Sequence, residues 1–131
     1  MVWKSEFLVG IEPIDRQHKV IFDSLLAIEN SLDKRDPWHI VEWFITELEK
    51  SIVSHFLAEE TLLELFQYPQ IELHRAQHSK LKAGIKELEQ TLKQSMSTTA
   101  LVPYFEQWFI KHVLAEDRGY VAHLKPRMPA P

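Results

Sequence analysis

The chain has no cysteine. Disulfides, thiolate metal sites and cysteine nucleophiles are therefore excluded, and no thiol stands beside any redox chemistry the protein performs. Glycine is scarce, with 3 in 131 residues, and long helical patterns fill the sequence instead. There is no basic excess: 15 Lys and Arg stand against 19 Asp and Glu, which leaves no footprint for nucleic acid. No apolar run reaches membrane-spanning length. The opening residues, Met1 to Glu6, lack the apolar stretch of a secretory signal, so a cytoplasmic location is expected. With 45% hydrophobic residues, 131 residues suit one domain, 1–131, around one core.

The hydrophobic periodicity predicts an all-α fold. Residues 1–12 read as an extended arm whose Trp3, Phe7, Leu8, Val9 and Ile11 pack on the body. Helix A is expected from Pro13, a residue suited to a first turn, with Ile14, Ile21, Phe22, Leu25, Leu26 and Leu32 as its stripe. Helix B is expected to open with Asp36 as N-cap and Pro37 in first position. Its stripe reads Ile40, Phe44, Ile45, Leu48, Ile52, Phe56, Leu63 and Phe66, and Tyr68-Pro69 ends it. Helix C carries Ile71, Leu81, Ile85, Leu88 and Leu92. Helix D follows a polar loop, with Thr98 or Thr99 as cap, and carries Leu101, Phe105, Trp108, Phe109 and Val113. Short connections favour antiparallel neighbours. The expectation is an up-down-up-down four-helix bundle over 13–123, with an irregular tail over 124–131.

Seven residues read as one di-metal site: His18, His55, Glu59, His74, His78, His112 and Asp117. Two pairs, His55–Glu59 and His74–His78, are four apart and so share a helix face. A lone histidine on an apolar face is more often a hydrogen-bonded core residue than a ligand. Register decides otherwise here. His18 lies on the stripe of Ile14, Ile21 and Leu25; His55 and Glu59 on that of Ile52, Phe56 and Leu63. His74 and His78 lie with Ile71, Leu81 and Ile85, and His112 with Phe105, Trp108 and Phe109. Buried ionisable groups must be paired or metal-bound, and antiparallel packing brings all of these to one end of the bundle. Asp117 is the awkward member, about 140° from His112 on an ideal α-helix, so a local π-type irregularity is expected between them. His39 and His123 read as surface residues, and Glu60 as solvated. Asp15, Gln77 and Tyr120 are the expected partners behind the ligands.

The order His…His-x-x-x-Glu…His-x-x-x-His…His-x-x-x-x-Asp resembles the hemerythrin family, in particular its single-domain bacterial members. The surrounding words match too: Val9-Gly10-Ile11, Ile14-Asp15-Arg16-Gln17-His18-Lys19, His55-Phe56-Leu57-Ala58-Glu59-Glu60 and Tyr68-Pro69. The likeness runs from about Trp3 to Tyr120. One departure is Leu63, a packing position where many bacterial members have methionine.

The resemblance implies reversible O2 binding, for storage, transport or delivery, at two iron ions bridged by an oxide or hydroxide. His74, His78 and His112 would hold one iron, and His18 and His55 the other, leaving it open. Glu59 and Asp117 would bridge. O2 would take two electrons and the hydroxide's proton, which leaves the formal charge of the buried site unchanged. A buried site resists a change of charge, so O2 affinity is expected to depend weakly on pH. Ile21, Phe56, Trp108, Phe109 and Val113 are the candidates for an O2 pocket. A monomer is expected, with an O2-consuming enzyme as partner. The alternatives are a di-iron oxidase, peroxidase or ferroxidase, or an O2 sensor acting through a partner. Carboxylate-rich di-iron bundles carry Glu-x-x-His pairs, and this chain has none.

Overall fold

The computed structural model describes residues 1–129. A 3-10 turn, Ser5–Phe7, precedes three long helices: α1 (Glu12–Asp33), α2 (Trp38–Leu65) and α3 (Ile71–Ser95). The fourth rod is composite. A 3-10 turn (Thr98–Ala100) leads into α4 (Leu101–Phe105), then a π-helix, π1 (Glu106–Asp117), then α5 (Arg118–Leu124). The molecule is an all-α four-helix bundle, with no strand among the described residues. Past Leu124 the backbone turns, and Lys125 N–H and Met128 N–H donate to the carbonyls of Val121 and Leu124. Of the tail expected over 124–131, the last two residues lie outside the described residues.

Glycine's scarcity shows at the helix ends. The left-handed residue that closes a helix is usually glycine, but α1, α2 and α3 close on Arg35 (φ 58°), Gln67 (φ 55°) and Met96 (φ 50°). At the end of α1, Asp36 N–H reaches Ser31 O at 3.1 Å and Arg35 N–H reaches Leu32 O at 3.0 Å. At the end of α2, Tyr68 N–H reaches Leu63 O at 2.8 Å and Gln67 N–H reaches Glu64 O at 3.1 Å. Both are Schellman closures. A further partner is His123, whose Nε2 lies 2.6 Å from the Phe66 carbonyl. His123 thus helps cap α2, whereas His39 is exposed as expected.

Two expectations about helix B fail. Asp36 does not cap it; its Oδ2 accepts the Ser31 hydroxyl at 2.8 Å, and the capping position falls to Pro37, with no side-chain hydrogen bond. The early stripe is also one residue out. Val41 is fully buried while Ile40 is 36% exposed, because the long spacing from Ile40 to Ile45 fits a helix less well than Val41 to Ile45. The cap before α4 is Ser97, whose Oγ accepts Thr99 N–H, rather than either threonine.

The arm is tied down by charge and by aromatic rings. Asp15, in the first turn of α1, accepts Val9 N–H at 2.7 Å and Gly10 N–H at 3.1 Å. Gly10 sits at φ 94°, where a side chain would be strained. Trp3 and Phe7 join Phe22, Phe105 and Phe109 in a cluster with centroid separations of 5.2 to 6.3 Å, the range in which edge-to-face pairs are favourable. Arg118 adds hydrogen bonds to the carbonyls of Glu6 and Leu8. Arm, α1 and π1 are thereby held as one body beside the ligand end of the bundle.

Candidate metal centre

Each helix delivers its site residues by its own periodicity. α1 gives His18 from the stripe of Ile14, Ile21 and Leu25. α2 gives His55 and Glu59, and α3 gives His74 and His78, each a pair four residues apart on one face. The last two, His112 and Asp117, are five apart and could not share a face of an α-helix. In π1 hydrogen bonds run from residue i to i+5, so residues five apart lie roughly one turn apart. The irregularity expected between His112 and Asp117 is present and longer than expected, since it begins at Glu106. All seven residues are brought together, and none is more than 2% exposed.

Their atoms divide into two groups. Glu59, His74, His78, His112 and Asp117 offer one set of ligand atoms mutually within 4.8 Å; His18, His55, Glu59 and Asp117 offer another. Each carboxylate belongs to both and gives one oxygen to each side. Glu59 Oε1 lies 2.6 Å from His74 Nε2 and 2.8 Å from His78 Nε2, while its Oε2 faces His55 Nε2 at 3.2 Å. Asp117 Oδ1 lies 3.1 Å from His74 Nε2 and 2.9 Å from His112 Nε2, while its Oδ2 faces His18 Nε2 at 3.0 Å. All five imidazoles present Nε2 to the same small volume.

This donor set fits cations. The Nε2 atoms of His18, His55 and His112 and both Asp117 oxygens are buried without a well-formed hydrogen bond among the described residues. Leaving such groups unmatched costs about 1–3 kcal/mol each, so their convergence calls for a charge between them. The electrostatics agree. Burial alone would push Glu59 up, but His55, His74 and His78 around its oxygens outweigh it and hold the carboxyl well below the usual range. Burial and the Glu59 charge both push Asp117 up, and His112 and His18 reverse that, leaving it depressed. Burial would lower His74 and His112; instead Asp117 and Glu59 lift His74 to about 9, and Asp117, Glu116 and Glu59 lift His112 to about 10. Both carboxylates are thus ionised, and the imidazoles beside them attract positive charge.

Behind the ligands stand groups that the sequence pattern concealed. Tyr120 fulfils its expected role: its hydroxyl donates to Glu59 Oε2 at 2.9 Å. Burial, then Glu59 and Asp117, push its pKa well up, so it keeps its proton. Asp15 and Gln77 do not support ligands. Asp15 is committed to the arm, and Gln77 lines a surface cleft with Lys111 and Glu116. The actual partners are Gln17 on His55, Glu60 on His78 and Glu116 on His112. Glu60 is therefore not simply solvated; it binds His78 Nδ1 at 3.1 Å and faces Arg75 at 3.5 Å. The signal for Glu116 was its place four residues after His112. Gln17 and Glu60 directly adjoin ligands, and the 100° step turns each toward the neighbouring helix.

The residues expected around O2 are all fully buried but do not form one wall. Trp108 stands edge-on to His18 at 5.4 Å and lies 6.1 Å from His55. Phe56 stacks on His78 at 3.8 Å, against the other group of ligands. Phe109 meets Trp108 at 4.9 Å and otherwise belongs to the arm's aromatic cluster. Ile21 and Val113 belong to the same buried hydrophobic core.

A four-helix bundle with buried imidazoles converging on two shared carboxylates defines a class of metal-binding bundle. The chain belongs to the hemerythrin family, whose metal is non-haem iron: the hemerythrin HHE cation binding domain matches residues 9–124. It is 29% identical to a bacteriohemerythrin of Clostridium acetobutylicum, over 92% of this chain and 98% of that one. It is 27% identical to a myohemerythrin of Riftia pachyptila, over 94% and 92%. A crystal structure of a hemerythrin mutant superposes with a TM-score of 0.77 at 25% identity, covering 95% of this chain and 96% of the other.

Proposed function

We propose that the chain binds O2 reversibly at a carboxylate-bridged di-iron centre, for storage or delivery of oxygen. The observation that carries this reading is the division of each carboxylate, with one oxygen of Glu59 and of Asp117 turned to each group of imidazoles. His74, His78 and His112 would hold one iron, and His18 and His55 the other. When bound, the iron pair supplies the reversible redox chemistry toward O2.

The protein's own residues do the rest. Unequal numbers of imidazoles leave the His18–His55 side one donor short, and that is the side with room for a small ligand. Trp108 covers it and excludes water. Exclusion of water withholds the protons that would let reduced oxygen escape. Tyr120 holds Glu59 in place through a hydrogen bond. Imidazoles outnumber carboxylates, and neutral donors stabilise high-valent iron less than carboxylates do, which favours binding over oxidation of a substrate. On this reading the protein is a cytoplasmic monomer of one domain that passes O2 to a consuming enzyme.

The test is a visible spectrum through a cycle of anaerobic reduced protein, air and vacuum. Charge-transfer bands that appear in air and vanish under vacuum without reductant support the reading. Irreversible oxidation with release of peroxide, or turnover of a donor, overturns it.

A further inference from the structure

Since every imidazole of the cluster gives Nε2 to the carboxylates, only its Nδ1 is left to take a partner from behind. The matching is uneven. On the side with three imidazoles, two have a carboxylate behind them: His112 Nδ1 donates to Glu116 Oε2 at 2.6 Å and His78 Nδ1 to Glu60 Oε2 at 3.1 Å. On the other side, His55 Nδ1 meets the neutral amide oxygen of Gln17 at 2.5 Å. His18 Nδ1 is buried with no hydrogen-bond partner among the described residues.

The difference has chemical weight. A carboxylate behind an imidazole fixes the tautomer that frees Nε2, and it makes that nitrogen more basic. A neutral amide fixes the tautomer but adds no charge. An imidazole with no partner gains neither advantage. The carboxylates also bring negative charge close to the bound cation, where low dielectric makes it count. Arg75 offsets part of the Glu60 charge, so Glu116 is the stronger of the two.

We propose that Glu60 and Glu116 are positioning residues that make the two iron positions unequal, so that they fill in order. The His74–His78–His112 position takes its ion first and holds it tightly. The His18–His55 position takes the second ion and holds it weakly. This rests on the di-iron reading above and adds to it the order of assembly and the residues that set it.

The test uses the full chain stripped of metal and titrated anaerobically with Co(II), read by the cobalt absorption bands and by calorimetry. The wild type is expected to bind two ions in resolved steps. Glu116→Gln is expected to weaken the first step about 10–100-fold, and Glu60→Gln to weaken it less. Gln17→Glu should act in the opposite direction and tighten the second step. A gain of affinity is not what a folding defect produces, so this variant keeps the test decisive. Two ions bound with equal affinity, or a first step unmoved in Glu116→Gln, would overturn the ordering alone. Failure of the wild type to bind a second ion would overturn the di-iron reading together with it.

Discussion

On one side of the cluster, His18 and His55 stand on uninterrupted α-helices. On the other, His112 and Asp117 stand on twelve residues of π-helix. The first side has two imidazoles, of which His55 is backed by an amide; the second has three, two from regular α3 and one from π1, of which His78 and His112 are backed by carboxylates. A regular α-helix can aim two side chains at one point only at spacings of three or four. The pairs on α2 and α3 obey that limit. A second ligand five residues after His112 exceeds it, and the backbone of π1 yields instead. Dense coordination is thus obtained by giving up local helix geometry, and the aromatic contacts of Phe105, Trp108 and Phe109 stabilise the irregular segment.

The sharpest way to break this comparison is to remove what both sides share. Asp117→Ala takes an oxygen from each group at once. We expect iron retained after reconstitution, measured by elemental analysis, to fall below half of the wild-type content. His55→Ala touches only the regular side and should leave the other ion in place.

Trp108→Ala is expected to have the next largest effect. Trp108 is carried on π1 yet packs against His18, so its loss should loosen both sides. Removal of a buried tryptophan costs about 3–5 kcal/mol, readable by urea unfolding of the metal-free chain. On the proposed O2-binding reading, the oxygenated protein should also autoxidise faster.

A smaller effect distinguishes protein with and without metal. In the metal-free chain the raised His74 and His112 contribute stability that is complete below about pH 6.5. It is lost as pH rises through their values of about 9 and 10. The depressed Glu59 and Asp117 contribute stability that is present above about pH 4.5 and lost as pH falls toward their folded values. The melting temperature of the metal-free chain should therefore be highest at mildly acidic pH and decline toward pH 10. Metal binding needs neutral imidazoles, so the loaded protein should hold its stability to higher pH. Parallel declines in the two forms would contradict this.

The smallest effect lies away from the site. Gln67→Gly and Met96→Gly relieve left-handed strain at helix ends, and each should raise stability by about 0.5–1 kcal/mol, seen as a higher melting temperature with iron content unchanged.

The sequence made the ligand end legible because burial and chemistry coincide there: a histidine on an apolar stripe is conspicuous. The five-residue gap from His112 to Asp117 even exposed the break in the fourth helix. Gln17 and Glu60 were hidden for the opposite reason. A polar residue one step from a ligand looks the same in sequence whether it faces water or the next helix, and only interhelical packing decides. His123 was concealed likewise, since its partner is a backbone carbonyl more than fifty residues earlier, at 57 positions' separation. Asp36 read as a cap because the cue is local, but Ser31 reached it first.

The contacts of the arm also set an order in time. Arg118 grips Glu6 across 112 residues of sequence, and the ring cluster joins Trp3 and Phe7 to Phe105 and Phe109. Closing so long a loop is slow and cannot begin until the later partner exists. As the ribosome extends the chain, α1, α2 and α3 emerge with His18, His55, Glu59, His74 and His78 while the clasp has nothing to grip. His112 and Asp117 arrive with the clasp's own partners. The ligand set is therefore incomplete until His112 and Asp117 have emerged, and they emerge together with the partners that fasten the arm.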